Sequence, residues 1–188
     1  MKQNTIKSLY TSHQTVFRPQ DLSLLWNIQK PAYLKTKIQR AITSGILLRL
    51  RRGLYALQEN YNEFEAANKL VSPSYISLRT VLAKAGAVFQ YDSAIYSIAR
   101  TQKELAVHKQ KFVYHKIRDD IFFQKAGLIV EDNVTLATPE RALLDLLYLY
   151  PNASVDHLSV ISKDICVELL PLYKNQALTK RLYYLYAE

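Results

Sequence analysis

All of the net positive charge in this chain lies in its first third. The 188 residues carry 25 Lys and Arg against 16 Asp and Glu, for a net charge of +9. Residues 1–58 hold ten of the cations (Lys2, Lys7, Arg18, Lys30, Lys35, Lys37, Arg40, Arg49, Arg51 and Arg52) and one acid, Asp21, whereas the remaining 130 residues hold 15 of each sign. Such segregation predicts two domains with different tasks: residues 1–58, shaped for a polyanion, and residues 59–188, electrically neutral and meant for something else. Both should fold, because 49% of the residues are hydrophobic, well above the range of disordered chains. The apolar runs stop short of the roughly 20 residues that cross a bilayer, and no leader-like segment opens the chain, so the expectation is no membrane and a cytoplasmic location. Cys166 is the single cysteine; within "DICVELL" it has the setting of a small core residue, and no internal disulfide exists.

The basic region parses into helices and a hairpin. "TIKSLYTSH" is a short amphipathic segment and "TVF" a first strand; "RPQDLSLLWNI" is a second helix with Pro19 in its first turn and Leu22, Leu25 and Trp26 on one side. In "PAYLKTKIQRAITSG", Pro31 suits the first helical position and Gly45 the position just past the end. Leu34, Ile38, Ala41 and Ile42 form its inward stripe. Tyr33, Thr36, Gln39, Arg40 and Thr43 then face outward, with Lys35 and Lys37 on the flanks. In "GILLRLRRGLYAL", Leu48, Leu50, Leu54 and Leu57 are expected along one side of a hairpin whose turn is Arg51, Arg52 and Gly53.

Three helices followed by a hairpin with a cationic tip is the order of a winged helix-turn-helix. In that arrangement the third helix enters the major groove of duplex DNA, where Arg suits guanine, Gln suits adenine and Thr meets an acceptor or a methyl group. Arg49, Arg51 and Arg52 would reach the phosphate backbone or the adjacent minor groove. The candidate DNA-binding residues are therefore Tyr33, Lys35, Thr36, Lys37, Gln39, Arg40, Thr43, Arg49, Arg51 and Arg52.

The same residues carry a family resemblance. Gly45, Leu47, Arg49, Arg52, Gly53 and Tyr55 resemble the G-x-L-x-R-x-x-R-G-x-Y wing of the AbiEi family of type IV antitoxins. "SPSYISLRTVLAKAGAV" (72–88) is similar to that family's S-Y-I-S-L-x-x-x-L-x-x-x-G segment, and "VTLATPERALLDLLYL" (134–149) to its A-[ST]-P-E-[KR]-A-L-L-D-L-L-Y segment. The resemblance touches most of residues 20–150. It implies an abortive-infection, phage-defence system: a winged helix-turn-helix that represses its own operon, and a second domain that counteracts a nucleotidyltransferase toxin encoded nearby.

The second region reads as α+β, a small sheet flanked by helices. "SPSYISLRTVLAKAG" is expected as a helix with Ser74 as N-cap and Gly86 as its stop. "AIYSIAR", "KELAVHKQKFVYHKI" and "GLIVEDNVTLA" have strand periodicity, with "HKQK" and "EDN" as turns. "TPERALLDLLYLY" has Thr138 as N-cap, Pro139 at the first position and an apolar stripe of Ala142, Leu143, Leu146 and Leu147. Helices are expected over "SVDHLSVIS", over "DICVELLPLY" as far as Pro171, and over "NQALTKRLYYLYAE".

Chemistry is sparse in this region. His13, His108, His115 and His157 are scattered without metal-ligand spacing, and the four glycines form no phosphate-cradling loop, so no metal and no cofactor are expected. The pairs Asp119–Asp120 and Glu131–Asp132 fall at expected turns, where Asp serves the backbone, rather than forming a nuclease site. Asp145 interrupts an apolar helix beside Arg141 and is expected to be exposed or salt-bridged. Tyr148, Tyr150, Tyr173, Tyr183, Tyr184 and Tyr186 crowd the second half and serve either a core or a partner surface. The expectation is a non-enzymatic, DNA-binding antitoxin, with a stand-alone regulator whose second domain senses a ligand or dimerises as the alternative.

Overall fold

Pro19 and Pro31 each open a helix, because a proline's missing N–H is no loss in a first turn. They frame the first of two compact units, Met1–Ser72 and Pro73–Glu188, in a computed structural model that describes residues 2–57, 61–89 and 93–187. The first unit runs α1 (Lys2–Thr11), β1 (Val16–Phe17), α2 (Pro19–Leu25), α3 (Pro31–Thr43), β2 (Leu47–Arg51), β3 (Leu54–Leu57) and α4 (Glu63–Leu70). Its antiparallel sheet has the order β1-β3-β2. Leu9, Phe17, Leu22, Trp26, Ile28, Ile38, Ala41, Leu47 and Tyr55 form one core, with Leu34 and Ile42 packed against it. Each fully buried large apolar side chain there contributes about 1.5–3 kcal/mol of transfer free energy.

The unit ends later than the charge count suggests. Glu65 of α4 is buried, and its Oε2 accepts from the Thr15 amide (2.8 Å), the Thr15 hydroxyl (2.6 Å) and the Val16 amide (3.2 Å). Lys69 pairs with Glu65 Oε1 at 3.0 Å, and Arg18 donates to the Lys69 carbonyl at 2.8 Å. These contacts fasten α4 to β1 and to the start of α2, so the divide follows Ser72 rather than residue 58. Counted over those units, the sequence carries eleven cations and four acids in residues 1–72, and 14 and 12 in residues 73–188. The excess remains concentrated in the first unit.

The hairpin also differs from expectation. Leu47 pairs with Leu57 and Arg49 with Tyr55, whereas Leu48 pairs with Ala56. Leu57 therefore shares a face with Leu47, not with Leu48. The register shifts between Arg49 and Arg51, so that Arg51 pairs with Leu54. One extra residue in β2 at this bulge turns Arg51 to the face opposite Arg49, although alternation alone would put both on one side.

The second unit is a mixed α/β layer, its sheet ordered β6-β7-β5-β4-β9-β8. The strands are β4 (Ser74–Ile76), β5 (Ile95–Ala99), β6 (Lys103–Val107), β7 (Gln110–Lys116), β8 (Leu128–Glu131) and β9 (Val134–Ala137). The helices are α5 (Leu78–Lys84), α6 (Asp119–Phe122), α7 (Pro139–Leu149), α8 (Lys163–Leu169) and α9 (Gln176–Leu185). Strand β4 pairs antiparallel with β5 and parallel with β9. Ser74 thus lies in a strand and does not cap a helix; Ser77 holds the position before α5. "SVDHLSVIS" forms only a 3-10 turn at Leu158–Val160. As expected, Thr138 Oγ1 caps α7 by accepting from the Arg141 amide, and Gly86 ends the α5 segment at φ +76°. Asp132 and Asn133 both adopt left-handed φ (46° and 63°), the backbone of a two-residue hairpin turn.

Candidate nucleic-acid interface

Helix α3 and the β2–β3 hairpin enclose a groove lined by Lys35, Thr36, Gln39, Arg40, Arg49 and Arg52, with Tyr55 beneath. The inward stripe of α3 produces this: Ile38 and Ala41 are buried, so positions turned away from them are left to solvent. Tyr33, Lys35, Thr36, Gln39, Arg40, Thr43, Arg49, Arg51 and Arg52 are all exposed, and Lys37 is half-buried.

Internal contacts sort these side chains. Arg49 Nη2 donates to Gln39 Oε1 at 3.3 Å, and its guanidinium carbon lies 5.9 Å from the Tyr55 ring centroid. Arg51, turned away by the bulge, donates from Nη2 to the Leu70 carbonyl at 3.1 Å, at the end of α4. Lys37 sits over the Trp26 ring at 4.7 Å, and burial lowers its pKa. The Thr36 and Thr43 hydroxyls donate to the Ala32 and Gln39 carbonyls within the helix at 3.1 and 3.0 Å. The groove therefore gathers six of the ten sequence candidates; Tyr33, Lys37, Thr43 and Arg51 lie outside its lining. Tyr55 was not among the candidates, and its place opposite Arg49 in the ladder is the signal that points to it.

In the second unit the conspicuous polar group is internal. Asp145, fully buried, accepts from the Ser77 hydroxyl (2.8 Å) and the Tyr75 hydroxyl (3.1 Å) at Oδ2, and from the Tyr173 hydroxyl (2.7 Å) at Oδ1. Arg141 Nε lies 3.4 Å from Oδ1, and its Nη1 and Nη2 donate to the Ala126 and Ile121 carbonyls at 3.1 and 3.0 Å. Burial pushes the Asp145 carboxyl up, opposed by Arg141 and the three hydroxyls, while burial and the carboxylate hold the Tyr75 and Tyr173 phenols well above their usual range. Asp145 is salt-bridged, as one of the two expectations had it, but not exposed. With no solvent access this cluster suits holding β4, α7 and the Leu170–Tyr173 segment together.

Asp119 and Asp120, in the first turn of α6, have ionic partners: Arg100 binds Asp119 at 3.2 Å and Arg118 binds Asp120. No group of three or more His, Cys, Asp or Glu able to hold a metal occurs among the described residues. Cys166 is buried, and burial pushes its thiol up to about 12. The tyrosines divide, Tyr173 being buried while Tyr150, Tyr183 and Tyr184 are exposed. Among the described residues no helix is long and apolar enough to cross a membrane.

No protein-family model and no curated protein matches the chain. Among solved structures it is similar to the crystal structure of the RV2827C protein from Mycobacterium tuberculosis, with a TM-score of 0.55 over 97% of this chain and 75% of that one. The two are 14% identical, so the likeness is one of fold.

Proposed function

We propose that the first unit is a winged helix-turn-helix that binds duplex DNA at the chain's own promoter, with α3 in the major groove and the β2–β3 hairpin as the wing. The observation that carries this reading is the groove in which α3 and the hairpin present Lys35, Gln39, Arg40, Arg49 and Arg52 together. Its support is physical. Thirteen residues make α3 about 20 Å long, and an α-helix fits a major groove about 12 Å wide. Cations beside it neutralise phosphates, while Gln and Arg meet base edges. The motif resemblance extends the proposal: the chain is an antitoxin that represses its operon, and its second unit counteracts a nucleotidyltransferase toxin.

Binding of the full-length protein to its upstream region and to random duplex, measured by fluorescence anisotropy at several salt concentrations, tests the DNA reading. A preference for the upstream region, with affinity falling steeply as salt rises, supports it; equal, salt-indifferent binding refutes it. Growth rescue on co-expression with the neighbouring gene product tests the antitoxin reading.

A stand-alone, ligand-sensing regulator is the second reading, favoured by a cleft in the second unit. Arg79, Tyr96, Tyr150 and Asn152 line it, and the Tyr150 hydroxyl lies 3.2 Å from the His115 ring nitrogens. Absence of rescue, together with ligand-dependent release of DNA, would select this second reading.

A further inference from the structure

Gln39 and Arg49 are joined by a side-chain hydrogen bond between α3 and the hairpin, Arg49 Nη2 donating to Gln39 Oε1 at 3.3 Å. The bond changes what each can offer a base. A glutamine recognises adenine by accepting from N6–H and donating to N7, and the acceptor half of that pair is its Oε1. Here Arg49 takes one of the two lone pairs of Oε1 and holds the amide against its guanidinium. Turning the amide over would set its NH2 against a guanidinium N–H, two donors face to face, so the orientation is fixed by chemistry. The amide of Gln39 is thereby committed to bracing Arg49, with its Oε1 facing the guanidinium.

Arg49 keeps its recognition capacity. A guanidinium carries five N–H groups arranged as two bidentate edges, and one hydrogen of Nη2 belongs to only one of them. The other edge remains able to reach O6 and N7 of guanine. The Tyr55 ring, 5.9 Å away, supports the guanidinium plane, and Tyr55 is itself buried and paired with Arg49 across the ladder. Arg49 is thus held from two sides before any DNA arrives, so little of its conformational freedom is left to lose on binding.

We propose that Gln39 and Arg49 act as a single unit that selects guanine, with Arg49 making the base contact and Gln39 positioning it. The proposal rests on the DNA-binding reading of the first unit. It replaces the adenine specificity that Gln39 suggests in isolation.

Selection of a randomised duplex library by the full-length protein, followed by anisotropy on the enriched site and its single-base variants, tests it. The expected result is a guanine whose replacement by adenine weakens binding about tenfold or more. Arg49→Ala should abolish that preference, and Gln39→Glu, which keeps an acceptor for Arg49, should preserve it within about threefold despite weaker overall binding. An adenine preference that survives Arg49→Ala and disappears in Gln39→Glu would overturn the pairing while leaving the DNA reading intact. Failure to enrich any sequence from the library would refute the DNA reading and the reader with it.

Discussion

Ser77 donates its hydroxyl proton to Asp145 across 2.8 Å of space and 68 residues of chain. The contact joins the position before α5 to the middle of α7, and it brings together the two sequence segments, around "SYIS" and "PERALLD", that stand out in the second unit. What those motifs encode is chiefly the inside of the domain. Tyr75, Ser77, Arg141 and Asp145 are all buried; the Tyr75 and Ser77 hydroxyls donate to Asp145, and Arg141 pairs with it while its Nη groups donate to the Ala126 and Ile121 carbonyls.

Breaking that network is therefore expected to be costly. Asp145→Ala leaves the Arg141 charge buried without its carboxylate, which should destabilise the protein by about 3–5 kcal/mol in urea unfolding. Asp145→Leu combined with Arg141→Met, which removes both charges, should recover a substantial part of that loss. If the double variant is no more stable than the single one, the ion pair is not the origin of the effect.

Truncation should locate the boundary. A fragment of residues 1–72 is expected to melt cooperatively by circular dichroism, whereas residues 1–58 lack Glu65 and leave the Thr15 and Val16 amides without their acceptor. In the full chain, Glu65→Ala should destabilise the first unit by about 2–4 kcal/mol. Equal melting of the two fragments would contradict the role given to α4.

The hairpin arginines should separate on a salt titration. Arg52→Ala is expected to lower the slope of log affinity against log salt by about one unit. Arg51→Ala should leave the slope nearly unchanged and lower the melting temperature instead, since its guanidinium is fastened to the Leu70 carbonyl. Identical slopes for both variants would mean that the bulge does not divide their roles.

Cys166 gives a pH-dependent signature. Burial pushes its thiol up to about 12, while an unfolded cysteine ionises near about 8.5. The folded state holds the proton more tightly, so this contribution to stability is intact below about pH 8.5 and declines as pH rises towards 12. Urea midpoints at about pH 8 and pH 10 should fall further for the natural protein than for Cys166→Ala. A thiol reagent should modify Cys166 only after unfolding; rapid labelling of the native protein would contradict its burial.

Much of the architecture was legible because it is written in local signals. Pro19, Pro31 and Pro139 open helices, Gly86 closes one, and Asp132–Asn133 turn a hairpin, each for reasons confined to a few residues. Strand β4 was not legible in the same way. Its three residues gain their strand identity from β5 and β9, 20 to 60 positions away in the ladder, and the serine and helix-like spacing nearby favour the wrong element locally. "SVDHLSVIS" failed for the converse reason: helical spacing without the packing that sustains a helix. For the candidate interface, the outward face of α3 followed from its inward stripe, whereas the fate of each arginine depended on a register shift that alternation does not predict.

That shift makes the hairpin sensitive to residue number rather than residue type. Inserting one residue into β3 between Leu54 and Tyr55 would give Leu50 a partner of its own, restore uninterrupted alternation and return Arg51 to the side of Arg49, adding a cation to the groove and freeing the carbonyl that ends α4. A single codon gained on the β3 side would thus redistribute charge between the two faces of the hairpin without altering one side chain's chemistry.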